Sequence, residues 1–235
     1  MVTLLENMAA GGNVLGSTFE DLRDTIALIQ NKQRVGVCLD TCHAFAAGYD
    51  LRTPDAFRAT MTKFEDVVGL QYLRAVHMND SKAPFDSHRD LHANIGTGFL
   101  GLRAFHNIVN DSRFEGLPII LETPIDAKDD EGTLLKDEKG KDKEDKGIWA
   151  REIKMLEQLV GMDVESEEFR QLEETLAKKG APERKRLTEQ IERKKEKDEK
   201  KAKSPKKGKG KVRKAKKEET EDEDSPLSDA ESHQE

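Results

Sequence analysis

The chain has 235 residues, 37% charged and 35% hydrophobic, with a formal net charge of −7. These totals average two unlike pieces. Residues 1–126 carry 11 Lys/Arg and 16 Asp/Glu, whereas residues 127–235 carry 29 and 31 with only Trp149 and Phe169 as aromatics. No run approaches the roughly 20 apolar residues needed to cross a bilayer. The opening Met1-Val-Thr-Leu-Leu-Glu6 lacks the basic start and apolar stretch of a secretory leader. Two cysteines exclude a disulfide scaffold and point to a reducing compartment.

Short apolar runs alternate with helical patterns along the first 161 residues. Val2–Leu5 is a strand-like run that ends at Glu6. Ser17/Thr18 open a helix with Leu22, Ile26 and Ile29 on one face. Val35–Leu39 ends at Asp40, and Cys38 and Cys42, spaced C-x-x-x-C, read as buried free thiols. Thr53-Pro54-Asp55 opens a second helix, since Thr caps well and Pro fits the first turn. Leu73–Met78 is a third run, containing His77, and Leu100–Val109 a third helix. Leu117–Leu121 ends at Glu122, and Ile148–Val160 is the fourth helix. Continuous apolar runs suit strands covered on both faces. Four strand–helix repeats predict an α/β fold with a parallel sheet.

The remainder is read from composition. Residues 126–146 form an exposed charged insert before the last helix. Residues 162–235 are too charged to bury a core and are expected to be a disordered tail, with one or two weakly supported helices between Asp163 and Lys201. A basic block, 200–217, holds 11 basic and no acidic residues, and an acidic end, 218–235, holds nine acidic and no basic ones.

Polar residues gather at the strand ends: Glu6, Asp40, His43, His77, Asp90, His92 and Glu122. In a β/α barrel such positions converge on one face. A lone acid there is usually a helix cap, but here each of the four units supplies a potential ligand. Asp90 and His92, two residues apart, point the same way in an extended loop. Mixed carboxylate and imidazole donors suit zinc, with manganese or iron as alternatives.

Val35-Gly-Val-Cys-Leu-Asp-Thr-Cys-His43, with its continuation to Asp50, resembles the D-T-C-H signature of the endonuclease IV class of apurinic/apyrimidinic endonucleases. His77-Met-Asn-Asp-Ser-Lys82 resembles that family's H-x-N-D-x-K segment, and Ser87–Gly96 its D-x-H segment. Leu4-Leu-Glu-Asn7, Ile120–Pro124 and Ile148–Ile153 match two glutamate motifs and the last barrel helix. The resemblance covers residues 1 to about 161. It implies a (β/α)8 TIM barrel with a trinuclear zinc site that incises DNA 5′ to abasic sites, a step of base excision repair. By that resemblance Glu6, Asp40, His77 and Glu122 hold one zinc, and His43, Asp90 and His92 another. Glu6 bridges to a third, while Glu6 and Glu122 orient the nucleophile. Lys82 and Arg89 are candidate DNA-phosphate contacts.

Two zinc-binding histidines of the family precede the segment that matches Glu6, and this chain begins five residues before it. The expectation is therefore a C-terminal half-barrel of about four β/α units, with at most two complete metal sites and with self-association through its open barrel edges. Arg184-Lys185-Arg186 and the basic block with Lys206 and Lys207 resemble nuclear-targeting sequences. They imply a nuclear import receptor as partner and a nuclear location, with mitochondria as a second compartment. No membrane partner is expected. Two alternative functions stay open: an impaired nuclease remnant whose basic tail binds nucleic acid or nuclear partners, and a sugar isomerase of the xylose type.

Overall fold

A computed structural model describes residues 1–127 and 133–203. The chain forms two compact units, Met1–Glu196 and Lys197–Glu235, and the second is described only to Lys203 as the end of a helix. In the first unit, strands β1 (Thr3–Glu6), β2 (Val35–Asp40), β3 (Leu73–His77) and β6 (Ile119–Ile120) make one parallel sheet in the order β1-β2-β3-β6. A second, antiparallel pair joins β4 (Asp80–Ser81) to β5 (His92–Ala93). The helices are α1 (Phe19–Leu28), α2 (Thr41–Ala46), α3 (Pro54–Val67), α4 (Leu102–Val109), α5 (Gly147–Leu159) and α6 (Glu167–Lys203). The four expected β/α units are thus present and share one parallel sheet.

Local chemistry explains the boundaries. Thr18 accepts from the Asp21 amide while the Asp21 carboxylate accepts from the Thr18 amide, a reciprocal cap that starts α1. Thr53 caps α3 through the Ala56 amide, with Pro54 in the first turn. The buried faces of α1 and α3 meet at Phe19, which stacks on Tyr49 with centroids 3.9 Å apart and meets Phe64 edge-on. β2 is buried along its whole length, as a strand covered on both faces should be. Of the expected Leu117–Leu121 strand only Ile119 and Ile120 pair in register. Pro118 has no N–H to give, although its carbonyl still accepts from Val76. Leu4 on β1 and Ile119 and Ile120 on β6 are exposed at the two edges of the sheet.

The 126–146 insert is exposed, as expected, but its described part is ordered against itself. Asp126 bridges to Glu144 and Lys136 to Asp142, and Ala127 and Asp145 donate to the carbonyls of Lys143 and Ile125. Residues 128–132 lie outside the described set.

One expectation needs correction. Composition predicts a disordered tail over residues 162–235 with one or two weakly supported helices, yet residues 167–196 form a helix packed on the rest of the first unit. Phe169 is fully buried, with His106 edge-on to its ring and the Arg103 guanidinium over its face. Arg103 also makes a two-bond pair with Glu173. Leu172, Leu176 and buried Leu187 continue the contact. Averaging over the charged residues hides this sparse stripe, since a docking seam needs only one residue per turn. Residues 204–235, with the greater part of the basic block and all of the acidic end, lie outside the described residues. Among the described residues no helix is long and apolar enough to cross a membrane.

Truncation of Phe169 measures this docking. Phe169→Ala should cost about 3–5 kcal/mol and lower the urea midpoint clearly. A midpoint equal to that of the parent chain would mean that α6 is not docked.

Candidate metal centre

The parallel register puts donors side by side at one end of the sheet. Asp40 is level with His77, and Glu6 lies at the end of the neighbouring strand. His77 Nδ1 is 3.1 Å from Glu6 Oε1, 3.3 Å from Glu122 Oε2 and 3.9 Å from Asp40 Oδ2. These four residues form one group whose donor atoms lie within 4.8 Å of one another. They are the same four that the family resemblance groups together. The second expected trio also converges: Asp90 Oδ1 is 3.1 Å from both His43 Nε2 and His92 Nε2, and the two imidazole nitrogens are 3.5 Å apart. Asp40 stands between the groups, its Oδ2 being 3.9 Å from His92 as well as from His77. Glu6 links them on the other side, with Oε1 3.2 Å from His43 Nδ1. His88 pairs with Asp86, and His106 contacts the Met162 carbonyl, so neither joins the cluster.

The residues that hold these donors are mostly asparagines. Asn79 gives its Nδ2 to Asp40 Oδ2 at 2.6 Å and to Glu122 Oε2 at 3.3 Å, while its Oδ1 accepts from the Glu122 amide. Asn7 accepts from the Asp40 amide at 2.7 Å and donates to the Asp40 carbonyl at 3.0 Å, which locks β1 to β2 at their ends. The Asp40 carboxylate caps α2 through the His43 amide at 2.7 Å, so one short helix fixes His43 relative to Asp40. Both asparagines are visible in the motifs, but they are neither titratable nor strong ligands. Their one sequence signal is position, one residue after Glu6 and two after His77.

Electrostatics follows the packing. Burial pushes the Asp40 carboxyl up, and the neighbouring imidazoles only partly oppose it. At Glu6 burial also pushes upward, but the His43 hydrogen bond and the His77 charge outweigh it and hold the acid below its ordinary value. His43 is raised to about 9: desolvation disfavours its cation, yet Glu6, Asp40 and Asp90 together favour it more.

The donor set fits a zinc-like ion. A tetrahedral ion with bonds of about 2.0 Å has donor–donor edges of about 3.3 Å, close to the 3.1 Å and 3.3 Å from His77 to the two glutamates. Cys42 lies within reach of Asp90 and His92. It is fully buried and gives its thiol to the Leu91 carbonyl, and burial pushes it up to about 12. Cys38 is raised to about 12 for the same reason. Both are free thiols, as expected.

The remaining candidates lie outside this cluster. Lys82 and Arg89 line a cavity beside Asp90, together with Arg186 and Leu187 of α6. Arg184 donates to the carbonyls of Thr97 and Ala177, and Arg186 pairs with Glu183. Lys185 is exposed. Lys206 and Lys207 lie outside the described residues.

A parallel β/α sheet with carboxylate and imidazole donors at the carboxyl ends of its strands defines a β/α protein with a candidate metal centre. The chain belongs to the xylose isomerase-like TIM barrel family, whose model matches residues 1–159. It is 40% identical over 194 residues to apurinic-apyrimidinic endonuclease 1 of Schizosaccharomyces pombe, covering 83% of this chain and 52% of that protein. It is 48% identical over 133 residues to the protein of the same name in Saccharomyces cerevisiae, covering 57% of this chain and 36% of the relative. Among solved structures, endonuclease IV from Thermus thermophilus superposes with a TM-score of 0.51 at 30% identity, over 67% of this chain and 49% of that one. The chain therefore spans about half the length, or less, of the curated relatives it matches.

Burial of both thiols predicts slow chemistry. Iodoacetamide at pH 8 should leave Cys38 and Cys42 unmodified in the folded chain and alkylate both in urea, since the thiolate is the nucleophile. Rapid labelling of either one without denaturant, read by mass spectrometry, would contradict the packing.

Proposed function

We propose that this chain carries a zinc-holding phosphodiesterase site that acts on DNA at abasic positions, on the 5′ side of the lesion, in base excision repair. One observation carries the reading: Glu6, Asp40, His77 and Glu122 converge beside His43, Asp90 and His92 at one end of the sheet. The relatives' names supply the substrate class.

A bound divalent ion would serve as a Lewis acid for the phosphate and acidify a nearby water. The protein's part is positioning. Asn79 keeps the Glu122 and Asp40 carboxylates turned toward His77, and Asn7 keeps Asp40 at the strand end. Glu6 and Glu122, about a third to two-fifths exposed, are the acids that a substrate can approach, and they would orient the attacking water. Asp40, with no exposed surface, can only hold. An abasic nucleotide has already lost its base stacking, so bringing it out of the duplex costs less than for an intact one. Lys82 and Arg89, beside Asp90, would then meet backbone phosphates.

We read nuclear addressing as belonging to the basic block 200–217, because Arg184 is committed to the carbonyls of Thr97 and Ala177. Deleting that block from a fluorescent fusion should release it from the nucleus. Self-association through Leu4, Ile119 and Ile120 at the sheet edges is a further expectation, which sedimentation would check.

The central test is metal content together with incision. The chain purified with zinc should retain two equivalents, lose both to a strong chelator, and nick an abasic duplex but convert no aldose. Asn79→Ala should lower metal affinity about 10- to 100-fold, the usual effect of removing a group that orients a ligand. Retention of no metal, or turnover of an aldose, would overturn the reading. Two equivalents without incision would favour the impaired-remnant alternative.

A further inference from the structure

The loop that supplies Asp90 and His92 is gripped from two sides. Below it, the Asp80 carboxylate accepts from the amides of Ser81, Gly98 and Leu100 at 2.7, 2.8 and 3.0 Å. Every partner is an N–H, so both oxygens act as acceptors and the loop is tied to a buried carboxylate with no exposed surface. The Phe99 amide donates to the Ser81 carbonyl, and the Lys82 amide to that of Leu91, which closes the excursion from 82 to 98. On the other side lies α6, beyond residue 159 where the family model ends.

The contact between α6 and this loop is close and specific. Gly180 faces the Thr97 carbonyl so tightly that any Cβ would overlap it. Arg184 donates one nitrogen to that same carbonyl and the other to Ala177 within the helix. Leu176 covers Gly96, where a Cβ would also collide. Leu187 is 4% exposed and lines the cavity that Arg89 and Asp90 share. None of these α6 residues belongs to either donor group.

We infer that α6 is part of the metal centre's scaffold: Gly180, Arg184 and Leu187 are positioning residues that set the loop presenting Asp90 and His92. This rests on the metal reading above. The first group, Glu6, Asp40, His77 and Glu122, hangs from the strands and from Asn79, so α6 should not govern it. The helix would thus tune one of two ions. A charged extension that looks like a passenger would decide how firmly the second ion is held.

The test uses the full chain with Arg184→Ala and Gly180→Val, and Arg193→Ala as a control from the exposed end of the same helix. Zinc release is followed with a competing chelator, and amide hydrogen exchange is followed across residues 82–98. Arg184→Ala and Gly180→Val should weaken one zinc equivalent about 10- to 100-fold, leave the other within about twofold, and speed exchange of the loop. His92→Ala should lose the same equivalent, and Arg193→Ala should change nothing. Equal weakening of both equivalents, or unchanged affinity with unchanged exchange, would overturn the inference. Loop exchange is read on metal-free protein as well, which separates the two claims. A parent chain that binds no zinc refutes the metal reading and the inference with it. Zinc binding that is indifferent to α6 refutes the inference alone.

Discussion

Everything at the carboxyl end of this sheet depends on one buried carboxylate. Asp40 has no contact with solvent, which is costly unless its lone pairs are met. They are met by the His43 amide and the Asn79 side chain, while Asn7 satisfies its backbone on both sides. Those bonds tie together β1, β2, α2 and the segment after β3. The residues they reach are also those that present Glu6, His43, His77 and Glu122. The architecture and the donor cluster are therefore one hydrogen-bonded object, not a fold with a site placed on it.

This explains why most of the centre is legible in the sequence. In a parallel sheet each strand ends at the same level, so an acid or imidazole directly after an apolar run is placed by the run itself. Glu6, Asp40 and Glu122 are of this kind, and His77 is the last residue of β3. His43, Asp90 and His92 need more, because a short helix and a loop carry them, and only the motif resemblance joins them into a trio. Their convergence arises from the Asp40 cap and from the β4–β5 pair. The supporting asparagines are harder still, since an amide has no chemistry that announces a role. Asn7 and Asn79 acquire theirs only from what stands opposite.

The docking of the helix after residue 166 is illegible for a different reason. Its composition is that of a solvated tail, and composition is an average. Docking is decided by a few positions: Phe169, Leu176, Gly180 and Leu187 recur on one side of a helix whose other positions are mostly Lys and Glu. Gly180 in particular reads as a helix breaker. In the structure the absence of its side chain is what lets the helix lie against Thr97. The strong upward pull on the Cys38 and Cys42 thiols has a similar origin, since it comes first from burial, which the fold and not the local sequence decides.

The spacing of the donors along the chain has a consequence for how the cluster comes into being. Glu6 meets His77 across 71 residues, and Asn79 meets Glu122 across 43. Such long closures lose chain entropy before any contact repays it, so parallel sheets of this kind assemble slowly. Only Asp40 with His43 and Asp90 with His92 are neighbours in sequence as well as in space. Glu122 completes the first group only when the last strand, with just two paired residues, takes its place beside β3. Without it the remaining donors would face an ion with one carboxylate fewer. The completeness of the donor set would therefore depend on the pairing of that one short strand.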